Sequence, residues 1–144
     1  MSELRQRAVR LLARREHTRA ELNRKLSPHG TPEEIDIVLN ELARANLQSD
    51  ARFAESYLRS QATRLGAARL RQTLRSKGVD SGLIETQLNH HELPDEAARA
   101  RAVWTKKFAA PPVDARAWAK QARFLQGRGF SSEVIRRLLK DIEE

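Results

Sequence analysis

Residues 31–42 read TPEEIDIVLNEL. Thr31 offers a side-chain oxygen to the unpaired N–H groups of a first helical turn. Pro32 stands at the one helical position that tolerates proline, and Glu34 sits three residues after the cap, where its carboxylate can bond back. Ile35, Val38, Leu39 and Leu42 then share one face. The stretch predicts a capped amphipathic helix, and the same grammar returns twice. Asp80 precedes Ile84 and Leu88, and Ser131 precedes Ile135 and Leu139, so the caps stand 49 and then 51 residues apart.

Other landmarks keep that period. Phe53 and Tyr57 precede the Asp80 cap by 27 and 23 residues, and Trp104 and Phe108 precede Ser131 by the same offsets; Leu4 and Ala8 occupy them before Thr31. Gly30, Gly78 and Gly129 each follow a leucine (Leu26, Leu74, Leu125) by four residues, where a helix stop calls for positive φ. The reading is an all-α chain, an elongated, curved array of three tandem three-helix units with about nine helices. The unit limits are 1–48, 49–93 and 94–144.

Within the units, a first helix places Leu4, Ala8, Leu11, Leu12 and Arg15 on one side, with Arg7, Arg10 and Arg14 as a stripe beside it. A second, from about Thr18 to Ser27, begins with Thr18 and Glu21 in capping-box spacing and turns Leu22 and Leu26 inward. The unit-two helix from about Asp50 to Arg64 is broken by Gly66, and the next turns Leu70 and Leu74 inward and Arg71 and Arg75 outward. After the Pro111-Pro112 break, a helix from about Asp114 carries Trp118, Phe124 and Leu125 inward. No stretch alternates with period two for long enough to make a strand.

Charge follows the same pattern. Residues 1–30, 51–78 and 97–129 carry net +5, +6 and +7, whereas 31–50, 79–96 and 130–144 carry −4, −5 and −1, giving +8 over 144 residues. A sequence pI near 10.7 points to an acidic partner. Zero cysteines exclude disulfides and thiolate metal sites and suit a reducing cytoplasm. No segment approaches the ~20 apolar residues that span a bilayer, and the start, basic from Arg5, has no apolar leader core. A cytoplasmic chain with no membrane association is expected.

Chemical motifs are absent. His17, His29, His90 and His91 lack the spacing of a metal site, and a surface or helix-end role is expected for them. No Gly-rich phosphate loop occurs, and no Asp, Glu or Ser falls in a catalytic spacing. The expectation is a non-enzyme without metal or cofactor. The pairs Phe53/Tyr57 and Trp104/Phe108 read as core rather than as base-stacking platforms. The candidate partner-binding residues are twelve of the cations of the first two basic blocks: Arg7, Arg10, Arg14, Arg19, Arg24, Lys25, Arg59, Arg64, Arg69, Arg71, Arg75 and Lys77.

Residues 47–78, LQSDARFAESYLRSQATRLGAARLRQTLRSKG, resemble the central signature of the RecX family. RREHTRAELNRKL (14–26) is similar to its first-unit signature and FLQGRGF (124–130) to its last. The family pattern has two acidic residues after the turn where this chain has Ser49 and Asp50, leaving Asp50 as the expected cap. The resemblance implies tandem three-helix units that lodge in the groove of the RecA filament on DNA and restrain ATP hydrolysis, strand exchange and SOS-repressor cleavage. A monomer is expected, with DNA contacted weakly or within the filament. A stand-alone DNA-binding module, with the Arg-rich second helices as readers, is the alternative.

Overall fold

The computed structural model describes residues 2–91 and 93–143. Among them the chain forms α1 (Glu3–Arg14), α2 (Arg19–Leu26), α3 (Pro32–Arg44), α4 (Asp50–Gln61), α5 (Ala67–Ser76), α6 (Ser81–His90), α7 (Glu96–Lys107), α8 (Ala115–Gly127) and α9 (Ser132–Glu143). A 3-10 turn, Ser27–His29, prolongs α2. The described residues are thus all-α, nine helices in three successive triplets.

Local chemistry sets the helix starts. Thr18 and Thr31 both complete capping boxes, accepting from Glu21 and Glu34 N–H while those side chains accept in return. Asp80 accepts from Gly82 and Leu83 at 3.0 and 3.3 Å, Asp114 from Ala117 and Ser131 from Val134.

The chain gathers into two compact units. One holds the residues up to Tyr57 together with Leu74–His90, the other Leu58–Thr73 with His91 onward. The core of the first unites Leu4 and Ala8 of α1, Leu22 and Leu26 of α2, and Ile35, Val38, Leu39 and Leu42 of α3. Burying one such side chain stabilises by roughly 1.5–3 kcal/mol, so these faces hold the helices together. In the second unit Ala100 and Trp104 of α7, Leu125 of α8, and Phe130, Ile135, Leu138 and Leu139 form the core. The Trp104/Phe108 pair, with ring centroids 6.4 Å apart, belongs to that core, as its spacing predicts.

A repeated turn organises each unit. After α5, Gly78 adopts φ 91° and Val79 N–H reaches back to the Leu74 carbonyl at 3.0 Å. A Cβ at Gly78 would overlap that of Ala20 on α2, and the Thr18 hydroxyl donates to the Lys77 carbonyl at 2.6 Å. After α8 the geometry recurs. Gly129 adopts φ 91°, Phe130 N–H bonds to the Leu125 carbonyl, and Gly66 N–H donates to the Arg128 carbonyl at 2.8 Å. Gly66 and Gly129 meet backbone to backbone: a Cβ on Gly66 would overlap the Gly129 carbonyl, and one on Gly129 would overlap Arg69. The accepting residues, Lys77 and Arg128, are 51 positions apart, the same interval as the caps Asp80 and Ser131.

Five sequence expectations need correction. Gly30 has φ −169°, extended backbone open to any residue, because the 3-10 turn ends α2 first. Its smallness serves packing instead, since a Cβ would stand 2.7 Å from Leu4 Cδ1. Ser49, not Asp50, caps α4 by accepting from Arg52 N–H at 3.1 Å. Asp50 Oδ1 instead accepts from Arg19 N–H at 2.9 Å, serving the first turn of α2. His17 is buried, 2% exposed, rather than superficial. Arg15 lies just past α1 and is exposed instead of sharing its apolar face, and α4 ends at Gln61, five residues before Gly66. One left-handed residue escaped notice, Asn46 at φ 59°, where α3 stops and Leu47 N–H bonds to the Leu42 carbonyl.

Candidate partner-binding surface

Neighbours sort the candidate cations into those engaged in the fold and those that are not. Arg7 is half-buried and lies 3.7 Å from Glu3 one turn away. The Arg19 guanidinium meets Asp36 at 3.0 Å. Lys25 Nζ lies 3.0 Å from His17 Nε2, and Lys77 stands 3.8 Å from Glu21. Arg59 is exposed and Arg71 half-buried, and both also interact within the protein. The remaining six, Arg10, Arg14, Arg24, Arg64, Arg69 and Arg75, are exposed and form no ion pair among the described residues. Arg10 and Arg14 lie four residues apart on α1, so they share its outer face; Arg75 lies in the last turn of α5.

One of the engaged cations, Lys77, shares a buried carboxylate with Arg15. Glu21, with its side chain 4% exposed, receives Arg15 at 3.2 Å and Lys77 at 3.8 Å. Burial pushes its carboxyl up, but the Arg15 hydrogen bond, the Thr18 N–H and the two positive charges outweigh that and hold it below the usual carboxylate range. His17 neighbours the same group. Burial pushes its imidazole down; the bond to the Arg15 carbonyl opposes this, and the charges of Arg15 and Lys25 add to the depression. Its two partners assign the neutral tautomer: Nδ1–H donates to the Arg15 carbonyl at 3.0 Å and Nε2 accepts from Lys25. Arg15, Lys25 and Lys77 thus have structural work. So does Arg52, which donates to Glu16 at 2.6 Å and to the Asn46 carbonyl at 2.8 Å.

Sequence reasoning stopped short in the third basic block. It named Arg64 but not Lys106, Lys107 and Arg128, which the fold brings to the same cleft in the second unit. The signal was present in the +7 balance of residues 97–129, although nothing in the linear order joins those four side chains. Among the described residues no set of three or more His, Asp or Glu is placed to hold a metal, and no helix is long and apolar enough to cross a membrane.

These features define an all-α protein of tandem three-helix units whose recurrent surface property is exposed arginine. Models of the first, second and third three-helix domains of RecX match residues 5–42, 49–88 and 94–139 in that order. The chain belongs to the RecX family of regulatory proteins. It is 46% identical to Regulatory protein RecX of Leptothrix cholodnii, covering 95% of this chain and 87% of that one. With Regulatory protein RecX of Chromobacterium violaceum it shares 47% identity over 94% and 88% of the two chains. A crystal structure of regulatory protein RecX superposes with TM-score 0.79 at 26% identity, covering 96% of this chain and 72% of that one. RecX from Lactobacillus salivarius has the same fold, with TM-score 0.77 at 22% identity over 98% and 95%.

Proposed function

We propose that the chain is a cytoplasmic, monomeric modulator of the RecA recombinase, acting without active site or cofactor. It lodges in the helical groove of the RecA filament on DNA and restrains ATP hydrolysis, strand exchange and SOS-repressor cleavage. In this reading residues 1–48, 49–93 and 94–144 are successive contact modules. Family membership supports it, and one physical observation carries it: arginines without an ion pair among the described residues recur from Arg10 and Arg14 to Arg64, Arg69 and Arg75. Exposed charges contribute little to folding even when paired, so these side chains are free to meet a partner of repeating negative charge. Binding more than one protomer raises avidity without new contacts and opposes the changes in protomer spacing that turnover requires.

Titrating the protein into a recombinase filament on single-stranded DNA while following ATP turnover tests the reading. Arg10→Glu with Arg14→Glu and Arg24→Glu should need about tenfold more protein for half-suppression, because rim charges act mainly through association. Arg75→Glu should act in the same direction, and neither variant should lower the thermal midpoint. Unaltered ATP turnover at saturating protein, together with equally tight binding to free and recombinase-coated DNA, would instead support a stand-alone DNA binder.

A further inference from the structure

We infer that the cleft on the second unit, between α7, the end of α8 and the residues after α4, receives an acidic protein segment carrying one apolar side chain. The cleft has a volume of about 580 Å³ and presents Arg64, Lys106, Lys107 and Arg128. None of the residues lining it is a carboxylate, and none of these four cations forms an ion pair among the described residues. Four positive groups held around one concavity repel one another. An anion entering it relieves that repulsion and gains charge-assisted hydrogen bonds.

The floor decides what kind of anion fits. Val103 and Phe124 line it and are half-buried, leaving apolar surface that a phosphate backbone would not cover. A nucleobase would need an open aromatic face. Phe124 does not offer one: Lys107 Nζ and Arg128 Cζ stand over its ring at 5.4 and 5.1 Å from the centroid, and Phe108 meets it edge-on at 5.4 Å and 89°. Carboxylates on the rim with an aliphatic or aromatic side chain on the floor match both properties. The inference deepens the partner reading and rests on it only in taking the partner to be a protein.

The test uses the full chain without recombinase. A fluorescein-labelled peptide of alternating Asp and Glu around one central Phe is followed by anisotropy, beside the same peptide with central Ser and an oligo(dT) of equal charge. The Phe peptide should bind saturably, and the Ser version about tenfold more weakly, the order expected for one buried apolar side chain. Lys106→Glu with Lys107→Glu should weaken binding at least about tenfold. Ala102→Glu adds a carboxylate to the cleft from an exposed helical position. It should abolish peptide binding while leaving helical circular dichroism intact and without lowering the thermal midpoint. Absence of saturable binding, or binding indifferent to Ala102→Glu and to the lysine reversals, overturns the inference. So does oligo(dT) binding more tightly than the peptide through the same residues. Wild-type suppression of recombinase ATP turnover is measured in parallel, so an empty cleft with intact suppression refutes the cleft alone.

Discussion

At Gly129, φ 91° places the backbone where an L side chain costs about 1–2 kcal/mol, and an added Cβ would also overlap Arg69. Gly129→Ala and Gly78→Ala should each lower stability by more than about 2 kcal/mol, read as a fall in the urea midpoint. Gly30→Ala should cost about 1 kcal/mol or less, since the side chain it meets is the movable end of Leu4. The three glycines share a sequence setting, and their difference was invisible there because φ at Gly30 depends on the 3-10 turn before it. His17 was misplaced for a similar reason: nothing within four residues reveals that Lys25 and Gln48 close around it. Its depressed pKa means the unfolded chain binds its proton first on acidification. The stability it contributes is therefore present above about pH 6.5 and is lost as pH falls through the lower folded value. Glu21, also depressed, acts with the same sign further toward acid. Unfolding free energy measured at pH 7.5 and 5.5 should fall with acidification, and His17→Gln should flatten that slope. An equal slope in the variant would remove His17 from the explanation.

Helix ends show where local rules suffice and where they do not. Thr31 and Thr18 have the same capping box, yet Thr31 is exposed while Thr18 is fully buried and also holds the Lys77 carbonyl. Thr31→Ala should cost about 1 kcal/mol, the ordinary loss of a cap. Thr18→Ala should cost about 2–3 kcal/mol, since it also leaves a carbonyl without its donor; chemical denaturation of the two variants side by side measures the difference. Caps and apolar faces were legible in the sequence because residues three and four apart determine them, as Ile35, Val38, Leu39 and Leu42 show. The exchange of roles between Ser49 and Asp50 was not. Ser49 serves its own helix, while Asp50 serves α2, which lies 31 residues earlier in the chain. The same limit applies to the cations: residue type announces Arg19 and Arg10 alike, and only the nearby Asp36 separates an anchored side chain from an unengaged one.

For the molecule as a whole, a net +8 with six candidate arginines that form no ion pair among the described residues leaves uncompensated repulsion in the folded state. Raising salt from about 0.01 M to about 1 M shortens the screening length from about 30 Å to about 3 Å. The thermal midpoint should therefore rise with sodium chloride, whereas binding to an acidic partner should weaken. A midpoint that falls over that range would mean the engaged pairs around Glu21 and Glu16 outweigh the exposed charge. The sign and period of the charge blocks were readable from composition alone. The cleft formed by Arg64, Lys106, Lys107 and Arg128 was not, because it assembles from α7, the end of α8 and the residues after α4. The glycine turns that follow α5 and α8, each resting against the start of the second helix one triplet earlier, give the architecture a direction of growth. Duplicating a stretch of the gene one period long would supply a newcomer with a berth of established shape. Trimming the chain after α7 would strip Gly66 of its lodger and leave naked main chain open to water.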